Sequence, residues 1–295
     1  MIICSRDQTL SQAQKMVIVP LGDIHHNAYG FDRPKWLSVL DWIRTTAKRK
    51  DRRVLVLLMG DYLDTFSRSE RKQLHFASSQ HESTRVRIEK MIRSDMDAFL
   101  ADLKPIRQLI WGVIAGNHTY QFQEATSGKL VGKTVDRVVS EQLGVPFFGM
   151  CGVLVLQLRR PGSSGVEPFK IFMHHGFGSA SSPTASLKQL LDLRAKWPAM
   201  NLYVMGHNHT PVVDAQQGLD VRFNHKSKQY GLVDIVQGFV RSASFLKGYI
   251  EGEAVDGYQG SYVEEGCMAP AGLGVVTANL RWKSHDGGIV LRVQK

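Results

Sequence analysis

Two rhythms of apolar residues alternate along this chain. Unbroken apolar runs at Met16–Leu21, Val54–Met59 and Leu109–Ala115 have the length of strands buried on both faces. Between them, apolar residues recur at helical spacing. Trp36, Leu37, Leu40 and Ile43 follow Asp32-Arg33-Pro34, where proline suits a first helical turn, and the basic run Lys48-Arg49-Lys50 suits a helix end. Ile88, Met91, Ile92, Met96, Phe99 and Leu103 mark one side of a long helix over 82–103. The pattern predicts further helices over 130–143 and 186–196, the latter ending before Pro198. Strands are expected at 153–158, 169–173, 202–205, 231–239, 274–282 and 289–293. Strand–helix alternation followed by hairpin-like strands indicates an α/β fold with a mixed or two-sheet core. Residues 242–272 are weakly periodic and read as a long surface loop. No internal repeat or Pro/Gly/Ser-rich linker divides the chain, so residues 1–295 are expected to form a single domain, with late strands and the loop in 211–295.

Composition adds little to the fold but narrows the partners. The 295 residues are 43% hydrophobic and 22% charged, which excludes collagen-like, low-complexity and disordered classes. A net charge of +10 favours polyanions such as nucleic acid, or phosphorylated substrates. Cys4, Cys151 and Cys267 are widely spaced and never form a C-x-x-C pair, so neither a disulfide framework nor a thiolate zinc site is suggested. The polar first fifteen residues lack the core of a signal peptide, and no apolar run approaches the roughly 20 residues of a membrane span. The expected setting is the cytoplasm, with no membrane partner.

The candidate chemistry sits where strands end. Seven of the eleven histidines fall in four such places: Asp23-Ile24-His25-His26, Gly116-Asn117-His118, His174-His175-Gly176 and Gly206-His207-Asn208-His209. A fifth strand end carries Gly60-Asp61-Tyr62-Leu63-Asp64. Ligands of α/β sheets bind at strand ends, so these loops are expected to share one rim. Imidazole, carboxylate and amide oxygen together suit divalent Mn, Fe, Zn or Ni. Spacings of Asp-x-His and His-x-His let two side chains on one turn reach one ion. A carboxylate shared by two ions fits the in-line hydrolysis of a phosphoester.

The ordered set Asp23-x-His25, Gly60-Asp61-x-x-Asp64, Gly116-Asn117-His118, His174 and Gly206-His207-x-His209 resembles the calcineurin-like metallophosphoesterase superfamily. The resemblance spans residues 23–209. It implies a four-layer αββα sandwich, two mixed β-sheets flanked by helices, with a dinuclear metal centre at the sheet edge. It further implies that Asp23, His25 and His209 hold one metal ion, that Asn117, His174 and His207 hold the second, and that Asp61 bridges them. His118 would protonate the leaving oxygen or steady the transition state, and a metal-bridging hydroxide would attack phosphorus. Manganese is the favoured metal, with Fe, Zn or Ni as alternatives.

Two departures from the family pattern stand out. Thr119 occupies the position after Gly-Asn-His that is usually acidic, so His118 would have to draw on a distant acid. The His174-His175 pair leaves the ligand open: His174 is favoured as the first residue after an apolar run, with His175 the alternative. His26 reads as a packing residue and Asp64 as a loop-fixing acceptor. The basic run 47–53 reads as a solvated helix end opposite the metals, whereas 67–72 follows Asp61 on the metal edge and could meet a phosphate backbone. Thr65-Phe66 replaces the Arg-Gly that follows the second Asp in many protein phosphatases, so a phosphodiester, nucleic-acid or nucleotide substrate is favoured. The alternatives are a phosphomonoesterase and a non-catalytic nucleic-acid-binding module with structural metals.

Overall fold

Alternation within each strand decides the layering. In β2 (Lys15–Leu21), Met16 and Ile18 face one way and Val17, Val19 and Leu21 the other, and all five are buried. In β3 (Arg52–Leu58), Leu55 and Leu57 share the face of Met16, while Val54, Val56 and Leu58 share that of Val17. A strand apolar on both faces must lie between two covering layers. One cover is helical: Trp36, Val39, Leu40 and Ile43 of α1 (Arg33–Ala47), Ile92, Met96 and Phe99 of α2 (Glu82–Leu103), and Val138 and Val139 of α3 (Val135–Leu143). The other cover is a second sheet, whose Leu154, Leu156, Ile171, Met173, Leu202 and Val204 meet Met16, Ile18, Leu55 and Leu57. That sheet buries its far face, through Val153, Phe172, Tyr203 and Phe239, under Leu190 and Leu193 of α4 (Pro183–Lys196). The order helix, sheet, sheet, helix is the expected four-layer sandwich.

The computed structural model describes residues 1–65, 81–123, 125–178, 182–224, 228–250, 262–265, 267, 269–283 and 288–294. Its first sheet has the order β11-β10-β2-β3-β4, with β4 (Ile110–Val113) parallel to β3, β10 (Thr277–Trp282) antiparallel to β2, and β11 (Ile289–Gln294) at the edge. The second has the order β1-β5-β6-β7-β9-β8, built from β1 (Ile2–Thr9), β5 (Cys151–Arg159), β6 (Val166–His174), β7 (Leu202–Met205), β8 (Val212–Asn224) and β9 (Gln229–Arg241). Strands β6, β7 and β9 run parallel and the other pairs include antiparallel ones, so both sheets are mixed.

Helix starts follow capping chemistry. Asp32 accepts from the Lys35 N–H before Pro34, Thr134 accepts from Arg137 and Ser182 from Ala185, so each first turn gains a side-chain acceptor. The helix expected from residue 130 therefore begins at Val135, and residues 125–130 form a 3-10 turn instead. His81 caps α2, its side chain accepting from the Ser83 N–H. Two strands were not anticipated, β1 and β8. Both are edge strands of mixed polar composition, so neither carries an apolar run. The start of the expected surface loop is also different: Ser242, Ala243, Ser244 and Phe245 are buried. The basic run 67–72 lies outside the described residues, as do His75, His225, Tyr258 and His285.

Leu57 has no exposed surface between the two sheets. Leu57→Ala is expected to lower unfolding free energy by about 2–5 kcal/mol, read from the urea midpoint by far-UV circular dichroism.

Candidate metal centre

Parallel strands bring distant sequence to one edge. The chain leaving β2 carries Asp23 and His25, and that leaving β3 carries Asp61. Asn117 and His118 follow β4, His175 follows β6, and His207 and His209 follow β7. The loops are cross-tied by backbone hydrogen bonds: Asp23 N–H donates to Gly60, Ile24 and His25 to Asp61, and Gly206 to His175. Asp23, His25, Asp61, His207 and His209 all adopt positive φ, between 49° and 80°. Each such non-glycine residue costs roughly 1–3 kcal/mol and survives only where its surroundings over-determine it. Two glycines are needed for close approach. A Cβ on Gly116 would overlap the Asp61 carboxylate, and one on Gly206 would lie 2.9 Å from Asp23 Oδ2.

The side chains gather into two linked groups. Asp23, His25 and His209 present ligand atoms within 4.8 Å of one another, and so do Asp61, His175 and His207. Asn117 joins the second group, its Oδ1 2.8 Å from His175 Nε2, while Asp61 Oδ2 is 3.2 Å from that nitrogen. His174 stands outside both groups. Its Nδ1 accepts from the Gly176 N–H at 2.8 Å and its ring edge meets Phe177. The reason is strand geometry. His174 is the last residue of β6, pairing with Met205 of β7, and His175, the first residue beyond the strand, turns into the rim. The structure thus gathers His175, the alternative from the sequence, with Asp61 and His207, and leaves His174 outside.

Hydrogen bonds at the far side of each ring select the nitrogen that faces inward. His175 Nδ1 lies 2.8 Å from the Met59 carbonyl, and His207 Nε2 lies 2.8 Å from that of Gly178. Both contacts assign a proton to the outer nitrogen, the arrangement that orients metal-binding imidazoles. The inner nitrogen of His207 then offers a lone pair, and that of His175 does so once the proton it shares with Asp61 and Asn117 has left. Among the described residues, His25 Nε2 is buried with no hydrogen-bond partner, and its Nδ1 has only Asp64 at 3.5 Å. A buried imidazole nitrogen left without a partner beside two carboxylates fits a cation.

Charge follows from the same crowding. Burial pushes the Asp23 carboxyl up to about 6 against the pull of His175, with Asp61 adding to the rise. Burial opposes charge on His175 too, but the carboxylates of Asp61 and Asp23 outweigh it and lift the ring to about 9. Asp61 is held well below the usual carboxylate range: burial works against its charge, and His175 more than compensates. Burial, then neighbouring His25, lowers His209 to about 3, so that ring is neutral near pH 7.

His118 does have an acid partner. Its Nδ1 is 2.6 Å from Asp64 Oδ1, and its backbone N–H donates to Asp61 Oδ1 at 2.8 Å. Asp64 is fixed in turn by Asn27, whose side-chain oxygen accepts from the Asp64 N–H. The carboxylate missing at Thr119 is therefore supplied from the Asp61 loop, and Thr119 instead hydrogen-bonds the buried Asp136 of α3.

A family model described as calcineurin-like phosphoesterase matches residues 16–211. The chain belongs to that family. No curated protein matches the sequence. Solved structures with some likeness include a conserved uncharacterized protein and predicted phosphoesterase of Streptococcus pneumoniae, with 14% identity over 94% of this chain and 88% of that one and a TM-score of 0.29. A doubly substituted Vps29 of Entamoeba histolytica has 12% identity over 94% and 98% with a TM-score of 0.31. GAP50, the anchor in the inner membrane complex of Plasmodium, has 10% identity over 95% and 84% with a TM-score of 0.37. Likeness at this level carries no argument about activity.

Several residues that position the rim of this calcineurin-like phosphoesterase have no motif to announce them. Ser242 Oγ donates to Asp23 Oδ2 at 3.1 Å and Ser244 Oγ to the Asp23 carbonyl at 2.9 Å. Arg241, fully buried, donates to the Gly206 carbonyl, the Ser186 carbonyl and Gln189 Oε1. Gln189 holds both Asn208 and the Phe177 carbonyl, so one arginine braces two loops. Glu89 of α2 is buried and accepts from Tyr120, Gln123 and Ser127, pinning the segment that follows His118. His26 pairs with Asp102, which also accepts from Arg33 and Trp36, in keeping with a packing role. Among the described residues, no helix is long and apolar enough to cross a membrane.

A folded imidazole raised from 6.5 to about 9 stabilises the fold below 6.5 and loses that contribution as pH climbs through 9. Metal-free protein is therefore expected to lose thermal stability between pH 6.5 and 9, with the slope flattened in His175→Asn, as read by scanning calorimetry in chelator.

Proposed function

We propose that this chain hydrolyses phosphoesters, with a phosphodiester or a nucleotide as substrate. Asp23, His25 and His209 would hold one divalent ion, and Asn117, His175 and His207 a second, with Asp61 contacting both. The observation that carries this reading is the buried convergence of ligand-type atoms: His25 Nε2 with no hydrogen-bond partner among the described residues, and Asp61 Oδ2 and Asn117 Oδ1 both within 3.2 Å of His175 Nε2. Imidazole and carboxylate without thiolate suit borderline divalent ions, and we favour Mn over Fe, Zn or Ni. When bound, such ions supply Lewis acidity and acidify water.

The chain's own residues do the rest. The contact from His118 Nδ1 to Asp64 fixes the ring so that Nε2 can carry a proton to the departing oxygen. Asp64 in turn is held below its usual range: burial opposes its charge, and hydrogen bonds from His118 and His25 prevail. The donated backbone N–H of His118 keeps Asp61 Oδ1 oriented, so the proton donor and the shared carboxylate are tied together across two neighbouring loops. A diester or nucleotide is favoured by the net charge of +10 and by Thr65-Phe66 in place of Arg-Gly.

The test is turnover of bis-p-nitrophenyl phosphate against p-nitrophenyl phosphate with added Mn²⁺, Fe²⁺, Zn²⁺ or Ni²⁺. Activity is expected on the diester, lost in chelator and restored by Mn²⁺. His118→Ala should lower kcat by about 10²–10⁴-fold, and Asp64→Asn by about 10–100-fold. Inactivity on both esters with every metal would overturn the reading.

A further inference from the structure

The end of the sandwich opposite the metal centre holds a second concave site. Lys15 begins β2 and pairs with Arg52 at the start of β3. In the same sheet Asn279 of β10 lies beside Val17 of β2 and opposite Arg292 of β11. Side-chain alternation puts Arg281 on the face of Asn279, and that is the face Val17 shows to α1. Helix α1 covers β2 and β3 but leaves the outer face of β10 and β11 open. The result is a groove of about 270 Å³ whose walls include Lys15, Arg49, Arg52, Arg281, Arg292 and Trp42.

Five cations line this groove, and among the described residues no acidic side chain does. Asp51 nearby pairs with Arg49 and Arg52. Among the described residues, Lys15, Arg281 and Arg292 make no ion pair. Clustering like charges in one concavity raises the local potential and disfavours the bare fold, and a bound anion reverses both effects. Trp42 is 40% exposed on the helical wall, with no aromatic neighbour stacked on it among the described residues. A flat aromatic face beside a cluster of cations matches a base on a phosphate-bearing sugar. Thr46 and Asn279 add uncharged polar groups to the same wall.

We propose that this groove binds a nucleotide unit, with phosphates against Lys15, Arg281 and Arg292 and the base on Trp42. The run 47–53, read from sequence as a solvated helix end, supplies Arg49 and Arg52 to it. The site lies at the N-terminal ends of β2 and β3, whereas the metal-site residues follow their C-terminal ends. Its occupancy does not depend on the phosphoesterase reading. Free nucleotide and a unit within a single strand share this chemistry, and separate probes distinguish them.

The experiment measures fluorescence anisotropy of a labelled ten-residue oligothymidylate and of a fluorescent adenosine diphosphate, both in chelator so that no hydrolysis occurs. Arg281→Glu with Arg292→Glu is expected to weaken binding of at least one probe by about tenfold or more and to reduce its salt dependence. Trp42→Ala should weaken the same probe by about fivefold or more. Lys90→Glu with Lys104→Glu, exposed on α2 and at its end, changes net charge equally and should leave binding nearly unchanged. Equal losses in the two charge-reversed proteins, or no loss with Trp42→Ala, would overturn the proposal. The same variants should turn over the aryl diester as the parent does, so failure of the groove and failure of the hydrolase reading stay separate.

Discussion

Everything at the rim depends on keeping two buried carboxylates, Asp23 and Asp61, beside imidazoles in the same small volume. An isolated buried anion is costly, and the chain meets that cost with aimed donors. His207 N–H donates to both oxygens of Asp23, Ser242 adds a hydroxyl, and His118 N–H serves Asp61. Each donor comes from a different loop. The electrostatic problem and the convergence of loops are therefore one constraint: the carboxylates can be buried only where these strand ends meet.

A rigid scaffold is what lets that constraint be satisfied. Five site residues sit at positive φ, and the strain is held because their loops are tied to one another and to buried supports such as Arg241 and Glu89. The sandwich supplies three apolar layers behind the rim, so the loops have little freedom to relax. Asp136 belongs to the same support. Burial raises it to about 7, partly offset by the hydroxyl of Thr119, and it anchors the turn carrying Asn117 and His118.

The parallel core was legible because burial on both faces writes itself as uninterrupted apolar runs, as in 16–21 and 54–59. The loops of the candidate site were legible because histidine, aspartate and asparagine recur at short spacing after those runs. Edge strands were not: β1 and β8 are of mixed polar composition, and their sequences alternate too weakly to separate from loop. Ser242 and Arg241 were invisible for another reason, since their role arises from contacts across more than 30 and 200 residues and leaves no local spacing. The choice between His174 and His175 turned on where β6 ends, a one-residue question that apolar patterning does not resolve. Thr119 made it legible that His118 must draw on a distant acid; which acid was not, because Asp64 reaches it from another strand end.

The two ends of the sandwich divide its chemistry. Carboxylates and imidazoles gather where β2 and β3 end, and the basic groove lies where they begin. The central claim concerns the first of these, that two cations share Asp61. Its most direct measurement is anomalous diffraction from crystals grown with Mn²⁺. The account predicts two peaks, one contacting Asp23, His25 and His209 and the other Asn117, His175 and His207, both adjoining the Asp61 carboxylate. A single peak, or a second ion held by His174 with Asp61 uninvolved, would contradict it.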